Sequence, residues 1–191
     1  RGLGDVYKRQ AVYHGKRRAE NFKSQQIIGL DFDNGVPFHI IQQRAKYYHL
    51  KMLFAYKTFS HTAEHERFRV VFALQHKITD SFTAKSIVSI FMKIFENCAE
   101  ACKDSARLFF GGKGLLHLAS KPHEISLGEI ILAFTAYMFD KYGSKHYTRE
   151  LQKFYIANHI RFEKNHPITD HGSFIPETSP QPVRSLSLIH I

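Results

Sequence analysis

The sequence predicts an α+β domain: an antiparallel sheet of split βαβ connectivity with two helices on one face, followed by further helices. Three observations lead there. Hydrophobic periodicity alternates between strand-like runs and helix-like spacing in the order β-α-β-β-α-β between Ile27 and Phe110. Asn34-Gly35 and Gly111-Gly112 close the first and last of these strands. Beyond Gly114 the apolar pattern is helical only.

The elements follow in order. IIGLDF (27–32) is a short apolar run with a turn signal behind it, as a buried strand requires. In VPFHIIQQRAKYYHL, Phe38, Ile41, Ala45 and Tyr48 recur near helical spacing, and Pro37 suits a first helical turn. KMLFAYKTF (51–59) alternates and is aromatic, which predicts a second strand; HTAEHE is a polar loop. RFRVVFAL (67–74), with a β-branched pair at its centre, predicts a third. TDSFTAKSIVSIFMKIFENC (79–98) opens on Thr79, Asp80 or Ser81 as a cap, and Ile87, Ile90, Phe91, Ile94 and Phe95 form its stripe. ARLFF (106–110) reads as the fourth strand. SLGEIILAFTAYMFDKYG (126–143) and YTRELQKFYIANHIRFEKN (147–165) read as helices. Residues 166–185, with four prolines among Ser, Thr and Gly, read as a linker or disordered tail.

The two ends stand apart from this pattern. RGLGDVYKRQ (1–10) resembles translated sequencing-adapter DNA, and LSLIHI (186–191) resembles the same adapter read from the opposite strand. Both are set aside from fold reasoning, and the native chain is expected to continue beyond them. The remaining organisation is a basic N-terminal remnant (11–24), a core (25–118), a helical part (119–165) and the Pro-rich tail (166–185). Hydrophobic content of 43% supports a core of one domain's length. Of the formal charge of +10, the adapter residues Arg1, Lys8, Arg9 and Asp5 contribute +2, leaving +8 and favouring a polyanionic partner. Two cysteines are too few for a disulfide scaffold and suggest a reducing compartment. No apolar run reaches the length of a membrane span. A soluble, cytoplasmic protein without a membrane partner is the expectation.

Asp31 and Asp33 flank Phe32, so a regular strand points both carboxylates to one face. Two such groups repel unless a cation lies between them, and hard divalent ions prefer oxygen ligands. The other reading is a strand end followed by an Asp33-Asn34-Gly35 turn. Both stay open at this level. Cys98 and Cys102, with His117 and His123, lack the spacing of a zinc site. Gly111-Gly112-Lys113 lacks Walker spacing. The aromatics Phe54, Tyr56, Phe68, Phe72, Phe109 and Phe110 suit base stacking or a core.

Two families share the spelling after the first strand. DFDNGV resembles the first motif of haloacid-dehalogenase-like phosphatases, which would make Asp31 a nucleophile and Asp33 an acid/base. That fold also implies a later lysine and an acidic pair on parallel strands, and the C-terminal half shows neither that pair nor a repeated βα order. LDFDNG, YKTFSHTAEHERFRVVFAL and CKDSARLFFGGKG together resemble archaeo-eukaryotic-type primases, closest to primase-polymerase-like replication proteins of plasmids, phages and other mobile elements. The likeness spans roughly residues 26–114 with the three motifs in family order.

This resemblance implies an RRM-like catalytic sheet and two-metal transfer of an NTP or dNTP to a 3′-hydroxyl on a single-stranded DNA template. Asp31, Asp33 and Asp104 would hold Mg²⁺ or Mn²⁺. His61 would contact the triphosphate, with Arg67, Arg69, Arg107 and Lys113 as further phosphate contacts; His65 is a second candidate for the histidine. The family tends to carry an acid near the Ala99 position, where this chain has none, and Glu96 and Glu100 are the neighbouring acids. A catalytically impaired nucleic-acid-binding module is therefore the alternative. A helicase domain or partner is implied by the resemblance.

Overall fold

Two short strands, Lys8–Arg9 (β1) and Ala11–Tyr13 (β2), precede the long strand Phe22–Phe32 (β3). The computed structural model describes residues 8–16, 18–104, 108–158, 160–163 and 166–169. Along the second half of β3, Ile28, Leu30 and Phe32 turn into the core, and Ile27, Gly29 and Asp31 take the opposite face. Helix α1 (Phe38–Tyr47) starts behind Pro37, and its Phe38 amide donates to Glu66 Oε2 at 2.9 Å. Strands β4 (Phe54–Thr58) and β5 (Phe68–Ile78) follow. Helix α2 (Ser81–Phe95) is capped by Asp80, whose Oδ2 accepts from the Thr83 amide at 2.6 Å.

Ten of the fifteen residues of α2 are buried, because it is covered on more than one side. One side meets the sheet, where Phe72 packs on Phe91 at 4.9 Å between ring centres. Another meets α3 (Leu127–Tyr142), and α4 (Tyr147–Ala157) packs on α3. Burying a side chain such as Phe91 contributes about 1.5–3 kcal/mol, so this stack dominates the core. Helix α3 opens with a capping box between Ser126 and Glu129 and stops at Gly143, φ +71°. Among the described residues no helix is long and apolar enough to cross a membrane.

The fold is α+β, as the periodicity predicts. β5 lies between β3 and β4 and is antiparallel to both, so β3 and β4 are parallel with a strand between them. That is the split βαβ core. The fourth strand differs from the expectation. Among the described residues, ARLFF supplies Leu108–Phe109 (β6), which pairs with β1. The strand after it, Gly112–Leu118 (β7), joins the far edge beside β4, giving the order β2-β3-β5-β4-β7. Glu124–Ile125 (β8) extends β5 in parallel.

The reason is occupancy of the other edge. Beside β3 that edge is taken by β2 and by the segment Ala99–Cys102, whose Ala99 amide donates to the Asp31 carbonyl at 2.8 Å. Gly112 meanwhile fits only because it has no side chain: a Cβ there would lie 1.9 Å from the Lys57 carbonyl oxygen.

The helix expected over 147–165 is shorter. It ends at Ala157, where the Asn158 amide side chain donates to the Phe154 carbonyl at 2.9 Å. Ile160–Glu163 (β9) and His166–Thr169 (β10) form a hairpin instead. The rest of the expected tail, from residue 170, lies outside the described residues.

Candidate functional site

The segments carrying the predicted site meet at the C-terminal end of β3. Asp31 is buried, 1% exposed, and ion-paired with Arg69, which stands directly opposite it on β5. Arg69 Nη1 also donates to the Tyr56 hydroxyl at 2.7 Å and to the Phe110 carbonyl at 3.0 Å, and the Tyr56 hydroxyl donates to that same carbonyl at 2.9 Å. The guanidinium lies 4.1 Å from the centre of the Phe109 ring. Burial works against the charge of Arg69, but the Asp31 carboxylate outweighs it and holds its pKa above the ordinary value. Burial also pushes up the Tyr56 hydroxyl, partly offset by Arg69.

Gly29 makes room for this arrangement. A Cβ there would meet the Phe109 ring at 2.8 Å, so only glycine lets the ring lie on the sheet next to Arg69. Cys102, also buried, accepts the Asp31 amide on Sγ at 3.2 Å.

The remaining predicted residues make other contacts. Asp33 is exposed just past β3, and its carbonyl meets His65 Nε2 at 2.9 Å. The His65 ring packs against Gly35, which adopts φ +80°. His61 is half-buried, and its Nδ1 lies 3.1 Å from the Arg67 amide and 3.2 Å from the Arg67 carbonyl. The Arg67 Nε is buried with no hydrogen-bond partner among the described residues. Asp104 is exposed at the end of the turn Glu100–Lys103. Lys113 is exposed on β7, and Arg107 lies outside the described residues.

The acids near Ala99 are engaged elsewhere. Glu96 accepts from Arg44, Tyr137 and Lys141 and so ties α1 to α3. Glu100 pairs with Lys103.

As arranged, these residues fit a pair of divalent ions poorly. The Asp31 carboxylate is neutralised by a guanidinium beneath an aromatic ring. Among the described residues no three His, Cys, Asp or Glu side chains gather as a metal ion would need.

Sequence reasoning missed the partners of Asp31. Tyr56 and Phe109 were legible only as aromatics, and nothing local marked Cys102 as an acceptor.

Residues 8–108 match the family described as the VapE N-terminal domain. The chain belongs to that family. VapE N-terminal domains are found in phage- and plasmid-replication-associated proteins. No curated protein and no solved structure matches the chain.

In this VapE N-terminal domain the sheet face turned away from α1 and α2 carries two cross-strand rows. One runs Asp31, Arg69, Tyr56, Leu115; the other runs Gly29, Val71, Phe54, Leu118. Residues directly opposite share a face. Both rows end on exposed side chains, Leu115 at 60% and Leu118 at 65%, and Phe110 beside them is 54% exposed. A gap of about 40 Å³ remains between Phe54, Tyr56 and Phe109, which admits little more than water. Of the aromatics named from the sequence, Phe68 and Phe72 are core; Phe54 and Phe110 reach solvent.

Proposed function

We propose that this domain is a single-stranded nucleic-acid-binding module of a mobile-element replication protein, and that it binds through the exposed β4–β7 end of its sheet face. The observation that carries the reading is the β4–β7 end of that face, where Phe54, Phe110, Leu115 and Leu118 reach solvent beyond the part covered by Phe109, on a chain of formal charge +10, or +8 without the two ends. Sheets of this kind bind single strands by stacking bases on aromatic side chains, with lysines and arginines meeting phosphates. Exposed Lys113 lies on β7, two residues from Leu115. The Asp31–Arg69 pair then serves to hold the sheet and Phe109 in place.

Fluorescence anisotropy with labelled single-stranded and duplex DNA tests this. Binding should favour the single strand and weaken steeply with salt, and Phe54→Ala should cost roughly tenfold, the worth of one stacked base. A protein that ignores both DNAs overturns the reading.

A second reading, primase-polymerase chemistry with Asp31, Asp33 and Asp104 holding Mg²⁺ or Mn²⁺, is favoured by one observation. The three motif segments, although distant in sequence, converge on the end of β3 through Ala99, Cys102, His65 and Arg69. His61, Arg67, Arg69, Arg107 and Lys113 would then contact the NTP or dNTP. It requires Arg69 to release Asp31. Metal-dependent primer synthesis lost in Asp31→Asn, with DNA binding retained, would favour it over the first.

A further inference from the structure

At the other end of β3 the sheet forms a cup. Gln25 lies opposite Ile78 and Ile27 opposite Ala73, so a bulge separates them and shifts the alternation of faces. Beyond the bulge Ala11, Gln25 and Ile78 are buried, while the cross-strand pair Val12 and Ser24 comes to the same side as Ile27. Gln10, Ala11, Val12, Ser24, Gln26, Ile27 and Lys77 line a cavity of about 250 Å³.

Its lining is apolar on two walls, Val12 and Ile27, both exposed. Its floor is polar. Ser24 is 5% exposed, and its hydroxyl makes no hydrogen bond to another described residue. The Gln26 side chain donates from Nε2 to the Leu74 carbonyl at 3.1 Å, which orients its Oε1 as an acceptor. Lys77 stands exposed at the rim. The turn joining β2 to β3 adds exposed His14, Lys16 and Arg18, with Lys23 next to Ser24 on β3. That turn is held by Asn21, whose Nδ2 donates to the Lys16 carbonyl at 2.7 Å.

We infer that this cup receives one nucleobase of a bound single strand, with the flanking phosphates on Lys77 and the basic turn. The inference rests on the nucleic-acid reading above and adds a site at the end of the sheet opposite Asp31. Size limits the occupant: sites for drug-sized ligands run to about 300–1,000 Å³, so this cavity suits a base and not a nucleoside triphosphate. Apolar walls meet the faces of the ring, and Ser24 and Gln26 meet its edge. The Ser24 hydroxyl, with no hydrogen bond to another described residue, is free to donate to or accept from the edge of a ring. The positive rim selects a polyanion.

The test compares a labelled oligothymidylate with an abasic strand of the same length. Ser24→Leu fills the cup, and Val12→Gln, on an exposed position, spoils a wall with little risk to the fold. Each should weaken oligothymidylate binding about tenfold while leaving the abasic strand unchanged. Lys77→Ala should weaken both strands and reduce the salt slope by about 0.7. If Val12→Gln leaves oligothymidylate binding unchanged, or weakens both strands alike, the cup takes no base, and the open-face reading survives. If the wild-type protein binds neither strand, both readings fall.

Discussion

Asp31 and Arg69, separated by 38 positions in the chain, face each other across β3 and β5 and form an ion pair that is almost wholly removed from solvent. Taking two charges out of water costs several kcal/mol for each ion, and the cost is recovered only where further hydrogen bonds satisfy them. Here Tyr56 and the Phe110 carbonyl satisfy Arg69, and Phe109 covers it. A pair of this kind is tolerated as a unit and is intolerant of losing one member.

Asp31→Ala or Arg69→Ala alone should therefore destabilise the domain by about 3–5 kcal/mol, because each strands a buried charge. The double change Asp31→Leu with Arg69→Met should recover most of that loss. Urea denaturation of the three variants measures it. An Asp31→Ala protein as stable as wild type would show that the pair holds nothing together.

Gly112→Ala should detach β7 from β4. Its Cβ would meet the Lys57 carbonyl at 1.9 Å, and backbone cannot yield as a side chain tip can. The expected cost is about 1–3 kcal/mol, with faster amide exchange along Gly112–Leu118. Gly114→Ala, two residues on in the same strand with nothing within 4 Å, is the control and should stay within about 0.5 kcal/mol. Equal effects from the two would exclude the close approach as the cause.

Cys98 should be inert to thiol reagents in the native protein. Burial, with a smaller contribution from the neighbouring Cys102, pushes its thiol up to about 12, so almost no thiolate exists near neutral pH. Cys102 is buried outright. Ellman's reagent at pH 8 should report both thiols only after guanidinium is added. Rapid labelling of one thiol in the folded state would contradict this.

Acid should loosen the contact between α1, α2 and α3. Burial alone would raise the pKa of Glu96, but hydrogen bonds from Lys141 and Tyr137, with Arg44 nearby, win and lower it. A lowered folded pKa means that stability is present above the unfolded value, about 4.3, and is lost as pH falls through the folded one. Glu96→Gln should flatten the fall in melting temperature below about pH 4.5 relative to wild type. Parallel melting curves for the two proteins would remove Glu96 from the acid response.

Much of the fold was legible because local pattern and final burial agree. The even positions Ile28, Leu30 and Phe32 alternate in the sequence and alternate in the sheet. Asp80 and Ser126 cap the helices that their spacing predicts. The fourth strand was misread for a specific reason. ARLFF carries the strand pattern, but an edge already held by β2 and Ala99–Cys102 left no place for it. The glycines behind it, legible only as a turn, turned out to admit β7 at the opposite edge.

The candidate site divides the same way. That Asp31, Asp33, His61 and Arg69 lie near one end of a strand follows from their distance to the turns that bound β3 and β5. Which groups touch does not.

The sequence by itself determined the α+β class, the two faces of each strand, the helix starts and a positive charge suited to a polyanion. Tertiary structure alone decided that Asp31 answers to Arg69, that β7 rather than β6 completes the sheet, and that a bulge opens a cup beside Ser24. The physical reason is that period and capping act over a few residues. Register, edge occupancy and bulges are settled by competition among segments that meet only when the chain has folded.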